Sequence, residues 1–156
     1  YSAFRHIISK DKEKFQDIQI IRARGKATIV SLCKILNQFG ANYSVLHDSD
    51  TPTCLRKGKT ITNPAWTNNT KILNEINKGN VEIKLVSSIP HFEGAYYNDE
   101  LKSEKPYTAV SMIKDNPEVL KSVETLLSYL CNLTTDLPEN AMTWNKIDDL
   151  KEKFEQ

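Results

Sequence analysis

The chain alternates short apolar segments with segments of helical periodicity, and this alternation constrains its fold more than any other feature. In residues 28–39, for example, apolar side chains recur at helical spacing. The predicted order is strand, helix, strand, helix, strand, over residues 18–22, 28–39, 42–47, 68–79 and 81–86. Short glycine-containing turns after each helix require right-handed crossovers, so the sequence predicts an α/β fold with a Rossmann-like parallel sheet flanked by helices.

The sequence changes character after residue 86. C-terminal helices are predicted over residues 105–114, 117–130 and 144–154. Residues 48–67 have no clear periodicity, so a long loop is predicted there. We therefore expect one domain over residues 1–132, followed by a linker and a C-terminal helix over residues 133–156. Because the chain starts at Tyr1, already within a helical pattern, we also expect that residues upstream are missing.

Two carboxylates close the central predicted strand. The apolar run ends at His47 and is followed by Asp48, Ser49 and Asp50. In an extended chain, residues two positions apart share a face, and at the carboxyl end of a parallel strand that face opens onto a ligand-binding crevice. Hard divalent cations prefer oxygen ligands, so the spacing predicts a metal site, with a structural aspartate turn as the alternative. By the same alternation, His47 is predicted to be packed rather than to bind metal.

Four motifs occur in order along the chain. They are Arg24-Gly25-Lys26 before a helix, Val45 to Asp50 with the pattern V-x-H-D-x-D, Pro90-His91-Phe92-Glu93, and Lys105-Pro106-Tyr107. In order and spacing they resemble the Toprim domain of OLD-family (overcoming lysogenization defect) ATP-dependent endonucleases, from the first residue to about residue 130. The resemblance implies a Toprim-like fold. That family also uses a glutamate after a first strand and a preceding ATPase domain, and neither is found in this sequence, so we expect the fragment to be catalytically incomplete.

The resemblance implies two-metal cleavage of phosphodiester bonds with Mg²⁺ or Mn²⁺. Asp48, Asp50 and Glu93 would bind the metal ions, and Lys105 would stabilise the charge that develops on the phosphate. Simpler alternatives exist for two of these residues. Glu93 fits a carboxylate at a helix start, and Lys105 fits a surface lysine before a proline at the first helical position.

Basic residues near the acidic pair suggest a nucleic-acid partner. Arg56, Lys57 and Lys59 on the predicted loop, together with Lys26, are predicted to contact DNA phosphates, with a solvated loop as the alternative. Residues 1–92 hold 14 basic and 7 acidic side chains, a net charge of +7, which agrees with a surface that faces a polyanion and equally with charges that serve solubility. The resemblance further implies an ATPase domain of the same parent chain, through which ATP acts, and a role in defence against phage. We also expect a second copy of the chain and a regulatory partner.

Two other functions fit parts of the pattern. A phosphatase or phosphotransferase would use Asp48 as its nucleophile, although Pro52 stands where that pattern usually has threonine. A non-catalytic interaction or dimerisation module would use the acidic C-terminal part, residues 117–156.

The apolar runs are too short to span a membrane, and no signal peptide is evident. The cysteines are odd in number and widely spaced, which argues against disulfides and zinc. The sequence therefore predicts a cytoplasmic protein without a membrane partner.

Overall fold

The structure is a computed structural model that describes residues 1–97 and 105–155, with side chains in the second range from residue 107 onward. The helices are α1 (Ser2–Lys10), α2 (Lys26–Gln38), α3 (Thr67–Ile76), α4 (Phe92–Tyr97), α5 (Lys105–Asp115), α6 (Pro117–Leu130) and α7 (Ile147–Glu152). The strands are β1 (Ser44–Asp48), β2 (Thr53–Arg56), β3 (Lys59–Thr62), β4 (Lys84–Ser88) and β5 (Ala141–Thr143). A small sheet flanked by helices confirms the predicted α/β fold class.

The sheet has the order β1-β4-β5. β1 and β4 are parallel, and their register runs from Ser44 opposite Lys84 to Asp48 opposite Ser88. The chain passes from β1 to β4 through a hairpin and α3, a connection long enough for the parallel pairing that the sequence predicted. Both strands therefore end at the same edge of the sheet, beside the acidic pair.

The strand predicted over residues 18–22 is wrong. The described backbone is irregular there, and the Ile21 side chain is 53% exposed. Apolar alternation favours a strand only where a neighbouring strand and a surface to pack on are available. Among the described residues, no strand pairs with this segment.

The predicted long loop contains an antiparallel hairpin formed by β2 and β3, in which Thr53 lies opposite Thr62 and Arg56 opposite Lys59. Lys57 and Gly58 form the turn with φ values of 51° and 74°. Positive φ at both central positions is the type I′ pattern, whose twist matches that of the flanking strands. Lys-Gly is a weaker sequence signal for this turn than Asn-Gly, which explains why the hairpin escaped prediction.

The chain forms two compact units. The first comprises Tyr1–Arg22 and Phe92–Ala141. In it α1 packs on α5 and α6, and α6 also contacts α4. The Phe92 ring contacts those of Phe4, Tyr96 and Tyr97. Tyr96 and Tyr97 are buried, so they are packing residues of this unit.

The second unit comprises Ala23–His91 and Met142–Gln156 and contains the sheet, the hairpin, α2, α3 and α7. Its buried core consists of Cys33, Val45, Trp66, Ile72, Leu73, Ile76, Leu85, Trp144 and Leu150. At the end of α2, Gly40 has φ 60°, and the Ala41 N–H donates to Leu36 O at 3.0 Å, as in a left-handed glycine cap. This cap returns the chain directly into β1. None of the helices in the described ranges has the length and apolar character needed to cross a bilayer.

Candidate functional site

A tight turn follows β1 and carries the acidic pair. β1 ends at Asp48, and Asp50 has a left-handed backbone with φ 57°. Two backbone bonds tie the turn to the end of β4: Ser49 N donates to Ser88 O at 3.0 Å, and Asp50 N donates to Pro90 O at 2.7 Å. Strand alternation therefore positions Asp48, whereas the turn positions Asp50, a residue type that tolerates this backbone conformation.

Lys26 enters the same turn from α2. Gly25 is the N-cap of α2 with φ 146°, a conformation that residues with a side chain rarely adopt, and Lys26 is the first residue of the helix. The Lys26 ammonium forms an ion pair with the Asp50 carboxylate and donates to Ser49 O at 3.1 Å. The glycine-lysine turn thus delivers a cation to the acidic pair.

Asn69 completes this arrangement from α3. Its side-chain oxygen accepts a hydrogen bond from Lys26 Nζ at 2.8 Å, and its amide nitrogen donates to Ser49 O at 2.8 Å. Lys26 Nζ also lies 3.4 Å from Ala65 O. Asn69 is fully buried. Sequence reasoning missed its role because an asparagine near a helix start resembles a cap.

Both carboxylates influence the pKa of the Lys26 ammonium. Burial lowers the pKa of Lys26, while the hydrogen bond and charge of Asp50 and the charge of Asp48 counteract that lowering. The Lys26 side chain is 11% exposed and that of Asp50 is 31% exposed. The site thus combines two negative charges with one positive charge at the carboxyl end of β1.

His47 is buried on the other side of β1, which confirms that it is a packed residue. Its Nδ1 lies 2.7 Å from Asp48 O, and because a carbonyl oxygen only accepts, Nδ1 carries the proton. Nε2 then accepts from Ser87 Oγ at 3.2 Å, and Ser87 Oγ accepts from Trp144 Nε1 at 2.8 Å. Burial lowers the pKa of His47 to about 4. This network fixes the strand end that carries Asp48.

The lowered pKa of His47 predicts a loss of stability in acid. The ordinary value is 6.5 and the folded value is about 4, so the unfolded chain takes up a proton at higher pH than the folded chain. As the pH falls from 6.5 to about 4, protonation of His47 should lower the free energy of unfolding by up to about 3 kcal/mol, at about 1.36 kcal/mol per pKa unit. Urea unfolding of the wild type and of His47→Gln across these pH values measures this. The stability advantage of the wild type should shrink as the pH falls, and an advantage independent of pH would contradict the prediction.

The donor set at the turn suits a hard cation. Asp48 and Asp50 supply carboxylate oxygens, and magnesium sites commonly use one or two carboxylates together with water and phosphate oxygens. Ser88, opposite Asp48 in the register, is fully buried, and its hydroxyl has no hydrogen-bond partner among the described residues. Those residues contain no group of three or more His, Cys, Asp or Glu side chains that could hold a metal ion. The two carboxylates therefore supply oxygen ligands, but holding a divalent ion at this turn requires further ligands.

The other predicted site residues belong to other elements of the chain. Arg56, Lys57 and Lys59 are exposed at the tip of the β2–β3 hairpin in the second unit. Glu93 lies in the first turn of α4, in the first unit, and is partly buried. Lys105 begins α5, and its side chain lies outside the described residues. The roles assigned to these residues stay predictions.

Residues 1–50 match the family model described as "Overcoming lysogenization defect protein-like, TOPRIM domain". The match confirms the resemblance of this segment to an OLD-like Toprim domain. The match covers less than half of the chain and includes Lys26, Asp48 and Asp50. A Toprim domain indicates an enzyme of the nuclease or primase type that acts on nucleic acids, and Toprim domains generally bind divalent metals. No curated protein and no solved structure matches the chain.

Proposed function

We propose that this chain is part of a metal-dependent DNA endonuclease of the OLD type, which nicks or cleaves DNA. The observation that carries the proposal is the acidic turn at the end of β1, within the Toprim match: the Lys26 ammonium pairs with the Asp50 carboxylate and also experiences the charge of Asp48. We further propose that the enzyme acts with an ATPase domain of its parent chain, functions as an oligomer in the cytoplasm, and serves in defence against phage. A regulatory partner would supply the activating signal.

In this proposal Asp48 and Asp50 hold a divalent cation, Mg²⁺ or Mn²⁺, against a DNA phosphate. Such a cation would polarise the phosphate and lower the pKa of a bound water. Lys26 keeps the Asp50 carboxylate in place and neutralises part of the charge of the pair, which supports the approach of an anionic substrate. Glu93 as a ligand of a second metal ion and Lys105 as a cation facing the scissile phosphate complete the proposed two-metal reaction.

The test is cleavage of supercoiled plasmid DNA by the full-length protein. Nicked and linear products should accumulate with Mg²⁺ or Mn²⁺ and should be absent when the metal is chelated. Linear DNA and RNA of similar length, tested in parallel, define the substrate preference. Products that form at the same rate in chelator would exclude a metal-dependent nuclease.

A further inference from the structure

The β2–β3 hairpin has one face that contacts solvent along its whole length. Residues that alternate along the paired strands fall on opposite faces, so Thr53, Leu55, Thr60 and Thr62 share one face, and all of them are exposed. The Leu55 side chain is 77% exposed. On the opposite face Cys54 and Ile61 are partly buried. The hairpin therefore packs on the second unit with the face of Cys54 and Ile61. Its other face exposes the side-chain methyl groups of Leu55 and the threonines to solvent.

The tip of the hairpin is strongly basic. Arg56 and Lys59 face each other across the last pair, and Lys57 lies in the turn between them. Among the described residues these side chains form no ion pair, and the sequence has no acidic residue between Asp50 and Glu75. Three uncompensated cations beside a methyl-lined face suit a partner with a dense negative backbone and an accessible groove.

The base of the hairpin is fixed at the acidic turn. Lys26 bonds Ser49 and Asp50 before β2 and also bonds Asn69, which follows β3. Asn63 N also donates to Pro52 O at 2.9 Å, which closes the two strands at their stem. Each strand advances about 3.4 Å per residue, so the tip lies roughly 10 Å beyond the base of the hairpin.

We propose that the β2–β3 hairpin is a DNA-binding arm that inserts into the major groove of duplex DNA. A two-stranded ribbon fits the width of that groove. Leu55 and the threonines on its face contact base edges and thymine methyl groups, and the cations at the tip bind phosphates on the groove walls. The inference rests on the proposed function, because it takes DNA as the substrate of the acidic turn.

The experiment measures binding of the full-length protein to a short fluorescein-labelled DNA duplex in chelator, so that cleavage does not contribute. Arg56→Gln, Lys57→Asn and Lys59→Gln are combined in one variant, and asparagine at position 57 preserves the type I′ turn. Each lost phosphate contact removes about 0.9 from the slope of log K against log salt, so the slope should fall by roughly 2 to 3. The matched control combines Lys34→Gln, Lys71→Gln and Lys153→Gln, exposed lysines of the second unit, and should keep the wild-type slope.

Leu55→Thr tests insertion into the groove separately from charge. It keeps a residue that favours strands and should weaken duplex binding about fivefold without changing the salt slope. An equal loss with single-stranded DNA would overturn groove insertion. The proposal of a DNA-binding arm is also overturned if the hairpin variant keeps the wild-type salt slope, or if the slope of the control variant falls as much. It is overturned as well if the wild type does not bind duplex DNA. If the hairpin contributes to duplex binding but the protein shows no metal-dependent cleavage, the proposal of a DNA-binding arm is supported and the proposed endonuclease is rejected.

Discussion

Asp48→Asn is expected to reduce metal-dependent DNA cleavage by the full-length protein about a hundredfold or more. Asparagine preserves the shape of the side chain but removes a negative charge and one anionic oxygen from a pair of carboxylates. Changes to residues that only support metal ligands already cost about 10-fold to 100-fold, so loss of a ligand charge should cost at least as much. The rate of plasmid nicking at saturating Mg²⁺ measures the effect, and nicking at the wild-type rate would remove Asp48 from the active site.

The matched control for this variant is Asp148→Asn. Asp148 lies on α7 in the same unit, its side chain is 76% exposed, and it pairs with Lys151 on its own helix. An exposed pair of this kind contributes little to stability, so the control should cleave DNA as the wild type does. Equal losses in both variants would indicate a general effect on folding. A phosphoaspartate trapped at Asp48 would favour the phosphatase alternative.

The parts of the fold that could be predicted are those encoded locally. The helical repeat before Gly40, the glycine cap and the run into Asp48 depend on neighbours within a few residues, and the structure contains all three. The segment 18–22 has a similar local pattern but is irregular, because strand formation also needs a partner strand. A local pattern therefore predicts a helix better than a strand, because a strand also needs a partner.

The candidate site was predictable only in part, for the same reason. The spacing of Asp48 and Asp50 is visible in the sequence, whereas the contact of Asp50 with Lys26 spans 24 residues and that of Lys26 with Asn69 spans 43. Lys26 was predicted to bind DNA, a role that stays a prediction. The structure shows that its ammonium bonds Asp50 and Asn69. Only the folded arrangement of α2, β1 and α3 brings these polar groups together.

Asp50→Asn is expected to destabilise the second unit by about 2 kcal/mol. The substitution leaves the Lys26 ammonium, 11% exposed, without its carboxylate partner. Removing one member of a fully buried pair costs roughly 3–5 kcal/mol, and the 31% exposure of Asp50 reduces this, because solvent already screens the pair. Asparagine tolerates the left-handed backbone of position 50, so backbone strain does not contribute. Urea unfolding measures the change through the fluorescence of Trp66 and Trp144, both buried in that unit.

Lys26→Met and the double variant separate the ion pair from the rest of the turn. Lys26→Met leaves the Asp50 carboxylate, which water can still reach, so we expect a smaller loss of about 1 kcal/mol. In the double variant no buried ammonium remains, and its stability should approach that of Lys26→Met alone. The coupling energy between the two positions should then be about 2 kcal/mol. If the two losses simply add, Lys26 and Asp50 stabilise the unit independently, and the ammonium does not hold the acidic turn.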